Sequence, residues 1–491
     1  MSFLRLLRAE WTKLRTVRGW IIGLLAGGLV IVVFGLAPGR QGSCGQHGPG
    51  SDCTPLHSAD GREVTDSFTF VHRTLTGDGT ITARVADLSG KLFDDGNHLV
   101  PWAKAGLIVR DGTTQGAAYA AVMRTGEHGV RLQYDYTHDQ AGASGGGAVW
   151  LRLTRTGEVI KAEQSADGSA WTTVGTARLP GLPQTVTAGL FVTSPEYSTQ
   201  VNESVVLTGV KGGPSQATAA FDHLATAGSW SQDWEGTILG ARSGPAAYNV
   251  ARFEQTAEGW TLTGSGDIAP STAGGGGVSV TQTLVGTFVG LIFMVVVGAM
   301  SVTAEFRRGL IRTTFAAGPH RARVLAAKAL VTGAVAFAAG LVAAWVVVRF
   351  GVGVLRDNGV YVSPVPAATE ARMIAGTAAL LAGCAVLAVG LGALLRRGVT
   401  AVTVSIVVIV LPYLLSVTVL PLRASDWLLR VTPAAAFALQ QAEPRWAQID
   451  TVYSPADGYF PLSAWGGLAV LALWIAAVLG GAAVALRRRD A

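Results

Sequence analysis

The chain has 491 residues and a formal net charge of +6; 49% of it is hydrophobic and only 14% charged, well short of the roughly 25% charged residues of a soluble globular domain. That composition points to a bilayer and excludes a mainly disordered chain, which would be poor in apolar residues. The 63 glycines follow no triplet period, which excludes collagen, and three cysteines are too few for a disulfide-stapled mini-domain or a four-thiolate zinc site.

A hydrocarbon core about 30 Å thick takes about 20 apolar residues per helix. Six such runs occur, at about 20–37, 283–303, 326–348, 373–395, 399–422 and 464–486. The first reads as an anchor rather than a cleaved signal, because its apolar stretch is long and Pro38-Gly39-Arg40-Gln41 offers no small-x-small cleavage site. Short loops rich in Lys and Arg stay in the cytoplasm. The segment before the first run carries +4 (Arg5, Arg8, Lys13, Arg15 and Arg18 against Glu10), and that between the second and third carries +5. Arg396-Arg397 and the C-terminal Arg487-Arg488-Arg489 with Asp490 carry +2 each, whereas 349–372 and 423–463 carry +1 and −1. These charges place both termini inside and leave residues 38–280 outside with −7. The basic balance therefore belongs to the membrane rim, and no nucleic-acid partner is expected.

Within 38–280 the long apolar runs give way to period-two alternation and dense turns, the pattern of antiparallel strands. In Val149-Trp150-Leu151-Arg152-Leu153-Thr154 the apolar residues face one side and Trp150, Arg152 and Thr154 the other. Strands are predicted at 80–88, 105–110, 119–123, 130–136, 159–164, 171–177, 186–193 and 204–210, and so many short strands imply a sandwich. Cys44 and Cys53 sit close together in an extracellular, oxidising segment and are expected to pair; Cys384 is a small packing residue inside a span. Seven of the eight histidines lie in this insert without His-Glu-x-x-His or Cys/His spacing, so no metal site is expected. Asp94-Asp95-Gly96-Asn97 reads as a turn. Residues 269–277 form a flexible lead into the second span.

Three stretches, Asp66-Ser67-Phe68-Thr69-Phe70-Val71, Gly77-Asp78-Gly79-Thr80-Ile81-Thr82-Ala83-Arg84-Val85 and Trp102-Ala103-Lys104-Ala105-Gly106-Leu107-Ile108-Val109-Arg110, make the insert resemble the concanavalin-like lectin/glucanase jelly roll of bacterial extracellular proteins. In that family the strand type seen at Gly259-Trp260-Thr261-Leu262-Thr263 precedes the Phe-x-Phe strand; here it follows, which implies a circular permutation or a partial second copy. Glycan contacts through Trp102, Trp150, Trp171 or Tyr136 are possible, since rings stack on sugar faces, although strand aromatics more often pack. A glycosidase needs a carboxylate pair flanking the bond; Glu158 with Glu163, or Asp94 with Asp95, do not supply one, and the Glu-x-Asp-x-x-Glu motif of related glucanases is missing.

After the second span comes Glu305-Phe306-Arg307-Arg308-Gly309-Leu310-Ile311-Arg312-Thr313-Thr314-Phe315. Its apolar residues fall at near-helical spacing with Arg308 and Arg312 on another face, which predicts a short amphipathic helix along the membrane. This order of Glu, basic residue, Gly and Thr-Thr, the basic start Ala9-Glu10-Trp11-Thr12-Lys13-Leu14-Arg15-Thr16 and the kink at Leu411-Pro412-Tyr413 resemble the permease subunits of type-2 exporter-class ABC transporters. The resemblance implies a homo- or heterodimer, with a separate cytoplasmic subunit that binds ATP. The cytoplasmic loop 304–327 would dock on that subunit through Glu305, Arg307, Arg308, Gly309, Arg312, Thr313 and Thr314, Gly309 allowing close approach. The chain has no Gly-x-x-x-x-Gly-Lys-Ser/Thr phosphate loop and so no cofactor or ATPase site of its own. Ionisable relay residues are missing from the span centres, and Lys328 is expected to snorkel from a span edge, which disfavours ion coupling.

The expected fold is therefore a multi-pass α-helical membrane protein of six spans with a β-sandwich ectodomain between spans one and two. Its parts are 1–37 (amphipathic helix and first span), 38–280 (ectodomain) and 281–491 (five further spans). The expected function is the permease subunit of an ATP-driven exporter in a bacterial cell membrane. The alternative is a membrane-anchored receptor or sensor for a cell-surface glycan; a tethered glycosidase ranks last.

Overall fold

A computed structural model describes residues 2–37, 56–93, 96–202, 208–240, 251–272, 278–311, 313, 320–358, 360, 362–449 and 451–488. Cys44, Cys53, Asp94, Asp95, Arg312 and Thr314 lie outside the described residues, and so does the pairing expected of the two cysteines.

Among the described residues, six helices are long and apolar enough to cross a membrane. An amphipathic helix α1 (Phe3–Thr16) buries Leu6, Glu10 and Leu14 along one face and leads at Val17 into the first long helix, α2 (Arg18–Leu36). The others are α3 (Thr287–Arg307), α4 (Arg321–Asp357), α5 (Ala367–Leu395), α6 (Gly398–Thr418) and, after the amphipathic α7 (Leu422–Val431), α8 (Ala464–Arg488). α3 and α5 form the centre of the bundle. They approach backbone to backbone where side chains are absent: a Cβ on Gly298 would meet the Ala385 carbonyl oxygen at 2.4 Å, the small-residue packing that lets helices associate in lipid. α6 carries a π-turn at Ile406–Val410, just ahead of Pro412, whose missing N–H and ring disrupt the α-helical ladder. α4 has a second π-turn at Val347–Gly351.

The four basic segments share one end of the bundle. Arg321 donates to the Leu486 carbonyl (2.6 Å), Arg396 lies over the Phe306 ring (5.1 Å), and Lys13 of α1 reaches Glu305. The opposite end holds a feature that hydropathy does not mark. Residues Pro433–Gln440, a 3-10 helix buried along its whole length, run back into the bundle, and the Gln440 amide donates to the hydroxyls of Thr287 and Thr377 (2.9 Å each). Thr281 donates to the Gln440 carbonyl (2.8 Å) and accepts from the Ala442 N–H (2.9 Å). The backbone polar groups of this segment are thus buried in protein, the condition for non-regular chain at membrane depth.

Between α2 and α3 lies a β-domain in which, among the described residues, 13 strands form one nearly closed hydrogen-bonded sheet, folded over into two layers around β2 (Phe68–Leu92), a strand of 25 residues. Its first part pairs with β10 (Thr185–Thr193) and β14 (Glu235–Leu239). From Gly79 onward it pairs with β7 (Val149–Thr156), and from Leu75 onward with β13 (Ser215–Trp230). One layer continues through β3 (Lys104–Arg110), β4 (Tyr119–Thr125), β5 (Val130–Tyr134) and β6 (His138–Ala141). The other runs through β8 (Val159–Ser165) and β9 (Thr172–Arg178) on one side, and β16 (Gly259–Gly264) and β15 (Arg252–Gln255) on the other. Between the layers pack the alternating apolar residues: Ile81, Ala83 and Val85 of β2, Leu151 and Leu153 of β7, Leu107 and Val109 of β3. The predicted strands 80–88 and Phe68–Val71 are one strand, and the predicted 130–136 ends at Tyr134, because Asp135 and Tyr136 take positive φ (44° and 62°) in a tight hairpin turn.

The strand at 259–264 pairs with β13 and belongs to this sandwich. β17 (Ile268–Pro270) pairs with β1 (Val64–Asp66), which brings the two ends of the insert side by side. The sandwich also touches the chain between α7 and α8: the Gln448 amide donates to the Tyr136 carbonyl (3.3 Å), and the Val452 N–H donates to Ser198 Oγ (3.1 Å).

Candidate functional site: a buried charge cluster where α1 meets α3 and α4

Glu10 lies on the apolar face of α1, between Leu6 and Leu14 at the four-residue spacing that stacks side chains on a helix. Glu305 is in the last turn of α3, and Lys328 is in the second turn of α4. The fold brings all three together with Lys13. Lys328 Nζ is 2.5 Å from Glu10 Oε2 and 2.8 Å from Glu305 Oε1 and also donates to the Ser301 carbonyl (3.3 Å). Lys13 Nζ is 2.7 Å from Glu10 Oε1 and 3.0 Å from Glu305 Oε1. Two carboxylates and two ammonium groups alternate and cancel. Glu10, Glu305 and Lys328 are each about 5% exposed, so the cluster meets the requirement that buried charges be paired. Partial burial opposes the Lys13 charge, but the hydrogen bond and charge of Glu10, then those of Glu305, outweigh it and hold its pKa above the ordinary lysine value.

Two expectations are corrected here. Lys328 does not snorkel; it is buried and ion-paired. Glu305 does not face outward as a docking contact; its carboxylate points into the cluster. The separate amphipathic helix expected from 305 onward starts later as well, because Glu305, Phe306 and Arg307 belong to α3. The helix stops there for a local reason. Gly309 has φ +71° and its N–H donates to the Phe306 carbonyl (3.2 Å), a left-handed C-terminal cap that glycine adopts without strain. Nothing lies within 4 Å of where its Cβ would be, so the turn, rather than close approach of another backbone, explains this glycine. Arg307, Arg308, Gly309, Leu310 and Thr313 are exposed beside the cluster.

The four aromatic residues offered as glycan contacts divide into two pairs. Trp102 is buried (3% exposed), stacked on His128 at 4.1 Å with the Arg131 guanidinium over its ring. Tyr136 is buried as well (2%), its hydroxyl 3.0 Å from Asp66 Oδ2; neither can reach a sugar. Trp150 and Trp171 are half-buried on the outer face of the second layer. Trp150 lies against His223 (4.8 Å), and the Arg152 guanidinium sits 4.0 Å from the Trp171 ring centre. The carboxylates are engaged: Glu163 with Arg152 and Lys161, Glu158 with Arg178 and the Gly181 N–H. The outer face of the first layer is covered by the insert's own ends. Val64 and Ile268 pack on Phe68, Phe70, Tyr119 and Phe191, and beside them Arg110 pairs with Asp66 (2.8 Å) and Lys104 with Asp267 (2.5 Å), with both basic side chains buried. Among the described residues, no group of three or more His, Cys, Asp or Glu could hold a metal ion.

Sequence pattern alone does not join Glu10 and Lys13 to Glu305 in one cluster, yet one signal is present. A glutamate in register with Leu6 and Leu14 on an amphipathic face, and a lysine inside the apolar run of α4, each need a buried counter-charge.

No family model matches the chain, and no curated protein matches it by sequence. Solved structures that overlay part of it include a functionally unknown protein from Saccharomyces cerevisiae (15% identity, 36% of this chain and 83% of that one, TM-score 0.23). Others are SCP-B, a member of the eqolisin family of peptidases (11% identity, 42% and 100%, TM-score 0.25), and the GH43 protein BlXynB from Bacillus licheniformis (12% identity, 23% and 24%, TM-score 0.18). At these scores the likeness carries no argument about function.

Proposed function

We propose that the chain is the permease subunit of an ATP-driven exporter of the type-2 ABC class, worked by a separate ATP-binding subunit and assembled with a second permease copy. The six long apolar helices would cross the cell membrane with both termini in the cytoplasm and the β-sandwich outside. The observation that carries this reading is the charge cluster. It joins α1, the end of α3 and the start of α4 into one unit, and Arg308 and Leu310 protrude beside it. A partner that pushed on the turn at Arg308 and Gly309 would move three helices together, the mechanical coupling that a transporter with an external motor needs. The glycan-receptor alternative loses Trp102 and Tyr136, which are buried.

The exposed residues provide the test, since replacing Glu305 would disturb the fold itself. Full-length protein is isolated in mild detergent from its native membrane, with partners identified by mass spectrometry and ATP hydrolysis measured. The expected result is a nucleotide-binding subunit in about equal amount, lost in Arg308→Glu/Leu310→Asp while the thermal midpoint of the permease stays unchanged. Isolation without any nucleotide-binding subunit, or its retention by that variant, overturns the proposal.

A further inference from the structure

The amphipathic helix α7 is seated on the bundle by one side only. Ser425 and Leu429, four residues apart, are buried. Ser425 Oγ donates to the Ser416 carbonyl near the end of α6 (3.2 Å), and the Val431 carbonyl accepts from Trp474 Nε1 of α8 (2.8 Å). Trp474 lies ten residues past Ala464, the first residue of α8, about 15 Å at 1.5 Å per residue. α7 therefore dips from the sandwich end of the bundle towards its middle. The side turned away from the bundle has two strips. At about 100° per residue, Arg423, Asp426 and Arg430 share one, and Ala424, Trp427 and Val431 share the next, with Trp427 67% and Val431 48% exposed. Both arginines are exposed. Among the described residues neither forms an ion pair, and Asp426 between them can neutralise only one.

We propose that this face of α7 holds an anionic glycerophospholipid of the leaflet at the sandwich end, its phosphate on Arg423 and Arg430 and its acyl chains along Trp427 and Val431. Three observations point to that occupant. The surface on either side of α7 is itself apolar and exposed, with Leu411 and Leu414 on α6 and Leu473 on α8, so Trp427 and Val431 continue a surface that hydrocarbon covers. The strip of arginines beside it carries a surplus of one positive charge, and a guanidinium next to hydrocarbon is costly without an anion; a phosphate accepts its planar donors two at a time. Trp427 stands between the two strips, where an indole, apolar in body and polar at its N–H, sits at headgroup level. A soluble anion would leave Trp427 and Val431 uncovered, and an uncharged lipid would leave the surplus charge unmet. The inference requires that the bundle lie in a bilayer and does not depend on the exporter reading.

Full-length protein is placed in nanodiscs of phosphatidylcholine with a minor share of phosphatidylglycerol, and one lipid or the other carries bromine on its acyl chains. The share of fluorescence quenching due to Trp427 is the difference between the unaltered protein and Trp427→Phe. Expected is quenching by both lipids, about fivefold stronger per molecule with phosphatidylglycerol, the preference that one basic residue near a membrane surface confers. Arg423→Gln/Arg430→Gln removes the preference and leaves the thermal midpoint in pure phosphatidylcholine unchanged. Asp426→Asn, which adds to the surplus charge, strengthens the preference and decides the matter if the double variant fails to fold. Equal quenching by the two lipids in the unaltered protein, or a preference that neither substitution changes, overturns the proposal. Absence of quenching by either lipid also overturns it, because the face is then covered by a second copy, by the sandwich or by water.

Discussion

Removing the Lys328 ammonium tests whether α1 is seated by charge or by its apolar face alone. In Lys328→Met the carboxylates of Glu10 and Glu305 lose contacts of 2.5 and 2.8 Å. They then share the single ammonium of Lys13, whose side chain is 35% exposed. Breaking a buried ion pair by deleting one partner costs about 3–5 kcal/mol, and every 1.4 kcal/mol is tenfold in a population, so the unseated fraction of α1 should rise by roughly a hundredfold or more. Leu6, buried against Val324 and Ala327 of α4, reports that event once changed to cysteine. A membrane-impermeant maleimide added to inside-out vesicles should label Leu6→Cys about a hundredfold faster in the Lys328→Met background. Adding Glu305→Gln leaves Glu10 paired with Lys13 and restores charge balance, so most of the protection should return. Labelling rates within twofold of each other in the two backgrounds would refute the charge-seating argument and leave apolar packing as the sole clamp.

Gly298→Val puts atoms where a Cβ already meets the Ala385 carbonyl at 2.4 Å; it should part α3 from α5 at a cost of at least the about 1–3 kcal/mol of overpacking, read as a lower thermal midpoint and poor recovery from the membrane. Trp102→Ala should destabilise the sandwich by about 3–5 kcal/mol, whereas Trp171→Ala, half-buried beside Arg152, should cost far less; tryptophan fluorescence during denaturant unfolding of the full chain checks the order. Burial holds the His72 imidazole below its ordinary value. The unfolded chain therefore takes up the proton first as pH falls through about 6.5, and stability present at neutral pH is lost on acidification. Thermal midpoints between pH 7 and 5 should fall, less steeply in His72→Gln; a midpoint that rises in acid contradicts the sign. His128, lowered chiefly by burial and next by Arg131, adds to the same trend, so His72→Gln blunts the slope without removing it.

The apolar runs were legible because a helix in lipid must be apolar over about 20 residues, and all six have a long helix in the fold. The sandwich strands were legible from alternation, since Ile81, Ala83 and Val85 face inward and Thr82 and Arg84 outward. What alternation could not convey is that β2 serves both layers, because pairing is a non-local choice and the change of partner at Gly77–Gly79 leaves no periodic mark. The first half of β2, buried on both faces over Phe68–His72, also breaks the alternation for a physical reason: β1 and β17 cover its outer side. Pro433–Gln440 leaves no mark in hydropathy because eight residues are too few to register as a span, although the stretch carries no charge. The charge cluster was half legible. Glu305 stands out through its neighbours in sequence, while of its two cationic partners Lys328 is 23 residues away and Lys13 is 292, and nothing local records the second distance.

One helix belongs to the fastenings at both ends of the bundle. At one end α3 contributes Glu305 to the charge cluster; at the other it contributes Thr287, which accepts from Gln440, and the chain just ahead of it contributes Thr281. The two fastenings differ in kind, charges at the basic end and an amide with hydroxyls at the other. A neutral network has no ion to desolvate, so it bears burial among apolar helices at lower cost. α3 itself is 21 residues long, about 32 Å at 1.5 Å per residue, and is packed against α5 along its length without room for a Cβ at Gly298. A helix held at both ends and along one side shifts or turns as a body rather than bending locally. Glu305 and Gln440 are thus joined through a single packed helix. From there the chain continues through Gln448 and Val452 to the sandwich, so the basic end and the β-domain are joined by one continuous path of packed and hydrogen-bonded residues.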